Sequence, residues 1–411
     1  MKVLYYLGNF PKLSQSFVLS ELSELRHRGH EVAVFALRDP GETIQHVEYR
    51  DLDVPVRYAR RPTITDAPDL LAGEVLDPRI LRRCLYRARP KEHAKYLHLA
   101  RQCIEYVDDL DWSPDLVHGH FACSNKLPAT HTAAYRGIPC TVTAHAYEIF
   151  RDPDHRELRV LFDRLDRVVV PSRYNRSYLR ERFGVETPID VVPATTRVSK
   201  FESTNGEVPN RLLTVARLVE KKGVVYAIEA LAHLCETHPT VEYHVVGSGE
   251  REDGLRRRAA ELGVGDRVTF LGNVSDERLH RELDEAAAFA LPSVVTANGD
   301  RDSSPVALKE AMAMATPCVS TTVAGIPEIV EHDSDGLLVE PRDPAALADA
   351  LATLLDDDDR RREMGRRARE SVAAKFGLEA AIDGLETSFR AAMEGRKAGR
   401  SSPSSRRLVR S

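Results

Sequence analysis

Cysteine, tryptophan and long apolar runs are all scarce in this 411-residue chain. The six cysteines, at 84, 103, 123, 140, 235 and 318, form no C-x-x-C pair. Neither a zinc site nor a disulfide framework is indicated, and a reducing cytoplasm is the expected setting. No run approaches the roughly 18–20 apolar residues of a membrane span. The best candidate, "EAAAFALPSVVTA", is short and carries Pro292. The opening "MKVLYYLGNF" ends its apolar run at Gly8, too early for a signal peptide. Membrane contact is therefore expected only at the periphery. Positive charge is not in excess: 58 Lys and Arg against 63 Asp and Glu give a net charge of -5, which argues against bulk nucleic-acid binding. The dinucleotide fingerprint is missing too, because "LGNFPK" holds one glycine.

Metal signatures are equally thin. His118 and His120 form an H-x-H, and on a strand they point the same way. No H-E-x-x-H or other ligand cluster accompanies them, so a cleft-lining or hydrogen-bonded structural role is expected. "DRD" at 300–302 invites a metal-binding reading, but "DLD" and "DSD" occur elsewhere in this Asp-rich chain, and the pattern is discounted. The Asp run at 356–359 reads as a solvated helix start or turn.

What is present is an ordinary globular composition, 42% hydrophobic and 29% charged, with enough length for two or three domains of roughly 150 residues. Short Val-, Ile- and Leu-rich runs alternate with helical patterns. "KVLYYL" reads as a strand, "GNFPKLSQS" as a polar loop with Ser14 as N-cap, and Val18, Leu22 and Leu25 as one helix face. "RGHEVAVFAL", "PDLVHGHFA", "GIPCTVTAHAYEIF" and "DRVVVPSRYN" continue the series. The alternation restarts after about 205 with "RLLTVARL", "VEYHVVGSGE", "RVTFLGNV" and "AAAFALPS". This grammar predicts an α/β fold of two doubly wound, Rossmann-like parallel sheets with a cleft between them. The expected divisions are a first domain over 1–192, a polar linker over 193–209 and a second domain over 210–375. A C-terminal helix over 376–395 packs back on the first domain, and a basic tail over 396–411 is disordered. The tail and the Arg-rich stretch at 79–101 are possible contacts for anionic lipid or acceptor; a solvated surface is the alternative.

Ligands of open α/β sheets bind beyond the C-terminal ends of strands. That rule selects Gly8, His118, His120, His145, the loop from Arg217 to Lys222, and Gly247 and Gly249. Arg217 offers a planar fork and Lys222 a point charge for phosphate oxygens; solvated loop cations are the alternative. Gly247 and Gly249 permit close approach of a ligand, or simply a tight turn. The stretch "SPVALKEAMA" at 304–313 reads as a helix with Ser304 as N-cap and Pro305 at the first helical position. The N–H groups of Val306 and Ala307 then face an anion site at the positive end of the helix dipole. The helix is apolar nearly all round, with Asp302 just before it and Glu310 on its margin. A carboxylate at that margin needs a partner, whether a protein donor or a ligand hydroxyl.

Together these pieces resemble the retaining GT-B glycosyltransferases of family 4, especially the branch building exopolysaccharides of the colanic-acid type. The resemblance covers about 1–375 through "FPKLSQSFVLSEL", "RGHEVAVFAL", "PDLVHGHFA", "TAHAYEIF", "ARLVEKKG", "VVGSGE", "FLGNV", "PVALKEAMAMATPCVSTTVAGIPEIV" and "DGLLVEPRDP", in that order. It implies a nucleotide-sugar donor held mainly by the second domain, a glycan or lipid-linked acceptor, no nucleic acid, no cofactor and no metal. Arg217 and Lys222 match the pyrophosphate-binding pair of the family. Glu310 matches the second acid of its E-x7-E motif, a ligand of ribose hydroxyls, and Asp302 stands at the first, which faces the donor sugar. Ser303, Ser304, Val306 and Ala307 would hold sugar and diphosphate, with Gly247, Gly249, Asn273 and Val274 also lining the donor site. His145 matches the histidine beside the transferred sugar, and Gly8 the glycine that leaves room for the diphosphate.

Two departures stand out. Asp302 replaces a glutamate, with Ser303 and Ser304 where small apolar residues are usual. Thr195, Thr196 and Arg197 replace a glycine–hydrophobe–acid turn. The resemblance therefore predicts a metal-independent, retaining hexosyltransferase, cytoplasmic and at the inner face of the membrane. The alternative is a non-catalytic nucleotide-sugar-binding homologue acting as an assembly partner.

Overall fold

Strands without polar alternation become strands buried on both faces. In the computed structural model, which describes residues 1–12, 15–41, 52–60, 90–204 and 206–401, they assemble into two wholly parallel sheets. The first contains β1 (Lys2–Asn9), β2 (Glu31–Arg38), β3 (Val56–Tyr58), β4 (Leu116–His120), β5 (Cys140–Thr143), β6 (Arg167–Val170) and β7 (Ile189–Val191), in the order β3-β2-β1-β4-β5-β6-β7. The second contains β8 (Val208–Val215), β9 (Glu242–Val246), β10 (Val268–Gly272), β11 (Ala286–Leu291), β12 (Cys318–Thr321) and β13 (Gly336–Val339), in the order β10-β9-β8-β11-β12-β13.

Each sheet is covered twice, and the period of two divides each strand between two cores. On β1, Leu4 and Tyr6 enter one apolar cluster with Phe35 and Val117. Val3, Tyr5 and Leu7 enter the opposite one. That second core is completed by Leu378, Ile382, Leu385 and Phe389 of the last helix, Leu378–Ser401, which crosses back from the second sheet to the first. β8 is divided likewise, with Leu212 in one core and Leu213 in the other.

Several local expectations shift. Ser14 lies outside the described residues, and Gln15 stands at the N-cap of helix Ser16–His27. The strand expected to end at His145 stops at Thr143, and the "AYEIF" that follows is a helical turn headed by His145. The last helix runs on to Ser401, into the stretch expected to be disordered from 396; residues 402–411 lie outside the described set, as do 79–89. The Asp run is the break between helices Pro344–Asp356 and Asp358–Phe376, where Asp357 accepts from the Arg360 N–H.

The fold fixes where a ligand can lie. Strand order reverses between β1 and β4 in the first sheet, and between β8 and β11 in the second. Loops leaving the C-terminal ends at these switch points diverge and leave a crevice. The C-terminal ends of the two sheets meet. Arg173 and Tyr174 N–H groups, at the start of helix Arg173–Phe183 after β6, donate to Glu328 after β12 at 2.9 and 2.7 Å. A carboxylate at a helix N-terminus is favoured by the exposed N–H groups and the dipole.

Candidate active site

The second switch point brings two lysines onto two acids. β8 leads into the loop carrying Arg217, Lys221 and Lys222, while β11 leads into the loop carrying Asp300 and Asp302. Lys222 Nζ lies 2.7 Å from Asp302 Oδ2, and Lys221 Nζ lies 2.8 Å from Asp300 Oδ1 and 3.7 Å from Asp302 Oδ1. Ser293 adds a hydroxyl donor to Asp302 at 3.1 Å. Asp302 is buried, which alone would raise its pKa, but Lys222 and Lys221 outweigh the burial and hold it below its usual value. The acids discounted as a metal motif are thus matched by cations. Arg217 is exposed on the same loop.

Glycines shape this loop. A Cβ on Gly247 would lie 2.0 Å from Ala216 O, and one on Gly249 2.4 Å from Leu218 O. Their bare faces therefore allow the turn after β9 to pack against the backbone on either side of Arg217. Leu218 N donates to Ser248 O at 2.9 Å and Arg251 N to Leu218 O at 3.0 Å. Asn273 accepts from the Ser248 hydroxyl at 3.2 Å, and Val274 packs beside it on the apolar cluster of the second sheet.

The helix after Asp302 begins one residue later than expected. It spans Val306–Ala313 with Pro305, not Ser304, at the N-cap. Ser304 instead accepts from Lys309 Nζ at 2.7 Å, and Ser303 is buried between Ser172, 3.0 Å away, and Asn175 of the first half. Val306 and Ala307 open the first turn, and no side chain caps it. Glu310 is partly exposed near Lys200; burial lowers the Lys200 pKa, while Asp276 and Glu310 act to raise it. A helix apolar nearly all round leaves Lys309 no solvent face, and Lys309 is buried. Its ammonium sits 4.7 Å from the Phe376 ring centroid and donates to Ala194 O of the connecting segment.

The first switch point holds histidines. Gly8 is the penultimate residue of β1, and a Cβ there would fit in ordinary contact, 3.9 Å from Asn125 Nδ2 and 4.0 Å from Lys126 Nζ. His118 is buried, with its ring nitrogens 2.8 and 3.2 Å from the hydroxyls of Thr141 and Thr143. His120 Nδ1 is 3.1 Å from His145 Nε2, and His120 Nε2 is 3.1 Å from Glu21 Oε1. Glu21 also receives the Tyr5 hydroxyl at 2.5 Å. Among the described residues, Glu21, His118 and His120 alone approach metal-ligand spacing, and every one of them is hydrogen-bonded within the protein. Sequence reasoning missed Glu21, which comes from a helix 99 residues from His120. Burial, and next the neighbouring His120, holds the His145 pKa well below 6.5. His145 and Glu148 cap the helical turn reciprocally: the His145 ring accepts from the Glu148 N–H, and Glu148 accepts from the His145 N–H at 2.6 Å.

Two Rossmann-like sheets with their C-terminal ends opposed, cations and a helix start on one side and a buried histidine group on the other, define a GT-B architecture. The family described as Glycosyltransferase Family 4 matches residues 14–196, and that described as Glycosyl transferases group 1 matches 196–371. The chain is 31% identical over 410 residues to the putative colanic acid biosynthesis glycosyltransferase WcaL of Escherichia coli K12, covering 92% of this chain and 97% of that one. It is 29% identical to the amylovoran biosynthesis glycosyltransferase AmsK of Erwinia amylovora, covering 86% and 90%. Anabaena Alr3699/HepE, solved in complex with UDP, shares the fold at a TM-score of 0.73 and 16% identity, covering 95% of this chain and all of the other. The protein belongs to the family 4 glycosyltransferases of GT-B fold, in the branch related to exopolysaccharide enzymes.

Proposed function

We propose that this chain is a retaining, metal-independent hexosyltransferase that moves a hexose from a nucleoside-diphosphate sugar to a glycan or lipid-linked acceptor, at the cytoplasmic face of the membrane. The relatives named for colanic acid and amylovoran biosynthesis support a polysaccharide pathway, and the UDP bound by HepE supports a nucleoside diphosphate. The observation that carries the reading is the 2.7 Å pair of Lys222 and Asp302 beside the uncapped start of helix Val306–Ala313. An arriving diphosphate competes with Asp302 for Lys222. Arg217, Lys222 and the N–H groups of Val306 and Ala307 then stabilise its charge without a metal. Asp302, released from Lys222, is left to the donor sugar together with His145, and Glu310 takes the ribose hydroxyls. Gly8 leaves room for the diphosphate on the opposite side.

In the reaction, the bond from the anomeric carbon to the diphosphate oxygen breaks. The acceptor oxygen bonds to the same face of that carbon, and its proton passes to the departing phosphate oxygen. No enzyme nucleophile takes part.

Thermal shift with UDP and GDP tests the donor site, with transfer from radiolabelled nucleotide sugars measured alongside. One of the two nucleotides should stabilise the wild type, and Arg217→Ala/Lys222→Ala should weaken its binding by about 10- to 100-fold, the worth of charged hydrogen bonds. Glu310→Ala should lose both affinity and transfer. Equal nucleotide affinity in wild type and variants would refute the donor site, and binding with no transfer to any acceptor would mark a non-catalytic homologue.

A further inference from the structure

A carboxylate only accepts hydrogen bonds, and a backbone N–H only donates. Between these two fixed ends the chain Tyr5–Glu21–His120–His145–Glu148 has one consistent arrangement of protons. Burial, reinforced by Glu21, holds the Tyr5 pKa well above 10.0, so Tyr5 donates to Glu21 Oε1 at 2.5 Å. The same oxygen, 3.1 Å away, accepts the Nε2 proton of His120. His120 Nδ1 is then bare and accepts the Nε2 proton of His145 across 3.1 Å. His145 Nδ1, bare in turn, accepts from the Glu148 N–H in the reciprocal cap. Packing fixes the rings as well as the protons: His145 lies between Phe17 and Phe121, with ring centroids 5.0 and 4.5 Å away, and stacks on His120 at 5.4 Å. Tyr5 and His120 are buried to 0% and 1% exposure. Glu21, His120 and His145 all line one small cavity between the first sheet and the last helix.

We propose that Glu21 and His120 are positioning residues for sugar transfer: they hold His145 as the neutral tautomer protonated at Nε2, with its ring fixed at the mouth of the first switch point. This rests on the assignment of His145 to the transferred sugar. A ring so held keeps the same tautomer and the same orientation in every encounter with donor. A loosened ring forfeits that, because small misplacements of a reacting group cost up to about 100-fold in rate. Oε1 serves both Tyr5 and His120, so an uncharged carbonyl oxygen at that position preserves the whole arrangement.

The test is steady-state transfer by the full chain, with nucleotide affinity and thermal melts measured in parallel. Glu21→Ala and His120→Phe should lower kcat between about 10- and 100-fold while KM for the donor and nucleotide affinity stay within about twofold. Glu21→Gln should keep most of the wild-type kcat. Glu21→Ala/His145→Ala should be no slower than His145→Ala alone, as expected for groups acting as a unit. Additive losses in the double variant, or losses confined to melting temperature and KM, would overturn the proposal. So would a Glu21→Gln variant as slow as Glu21→Ala, the pattern of a charge requirement such as metal ligation. If His145→Ala keeps full kcat, the assignment of His145 itself falls; if His145→Ala is slow and the double variant slower still, only the relay falls.

Discussion

Asp302 carries one methylene fewer than glutamate, and its surroundings fit the shorter side chain. It reaches Lys222 at 2.7 Å and Ser293 at 3.1 Å while almost fully buried. A buried acid without such partners is costly, so Lys222 and Asp302 each account for the presence of the other. Each is legible singly, as a residue beyond a strand end. Their pairing is not, because 80 positions separate them and only the adjacency of β8 and β11 brings them together. Lys309 escapes for another reason: lysine in a helix reads as a solvent-facing residue, yet this one is fully buried among backbone and hydroxyl acceptors. The buried histidines have a consequence for stability. Burial, with His120 adding to it, lowers the pKa of both His118 and His145 well below 6.5. Both stay neutral in the fold, while the unfolded chain gains protons as pH drops below about 6.5. Stability should therefore fall from about pH 7 to pH 5, by up to about 1.4 kcal/mol per pH unit for each histidine, and be insensitive to these groups above that window. Urea midpoints across this range check the sign; a midpoint that holds constant down to pH 5 contradicts it.

Elements differ in how openly they announce themselves. The central strands β1 and β11 carry continuous apolar runs and are readable directly, and β8 is readable from its Leu212–Leu213 centre. β3 and β7 escape because edge strands of three residues carry no period to detect. The glycine turn after β9 is legible as a site of close approach, though what approaches is the backbone beside Arg217. That gives a prediction at the element scale. Gly249→Ala would place a Cβ 2.4 Å from Leu218 O, so the turn must shift and carry the Arg217 loop with it. A loss of roughly 1–3 kcal/mol in stability, together with weaker nucleotide binding, is expected. Gly254→Ala, inside helix Glu252–Glu261, meets only the tip of Arg257 at 3.9 Å and should stabilise by about 0.5–1 kcal/mol. Chemical denaturation of the two variants separates steric demand from simple tight-turn preference; equal, small effects in both would contradict the packing account.

At the scale of the whole molecule, two reversals of strand order create two crevices, and contacts between the sheets hold them opposed. Arg301 reaches from the second half to the Tyr174 hydroxyl at 2.8 Å and lies 5.0 Å over the Phe150 ring. Gly325 admits the approach of Ser172, since a Cβ there would stand 3.0 Å from that side chain. The alternation of strands and helices makes the two-sheet architecture readable, whereas the way the halves meet depends on loop residues such as Ser303 and Glu328 that carry no pattern. Among the described residues no helix is long and apolar enough to cross a membrane. The central claim is that the cations after β8 and the start of helix Val306–Ala313 form the donor diphosphate site. A crystal structure with the nucleoside diphosphate that binds in solution tests it most directly. The account predicts the diphosphate between Arg217, Lys222 and the N–H groups of Val306 and Ala307, with Lys222 drawn off Asp302 and Glu310 on the ribose. A diphosphate bound elsewhere, with Lys222 and Asp302 still paired, would contradict it.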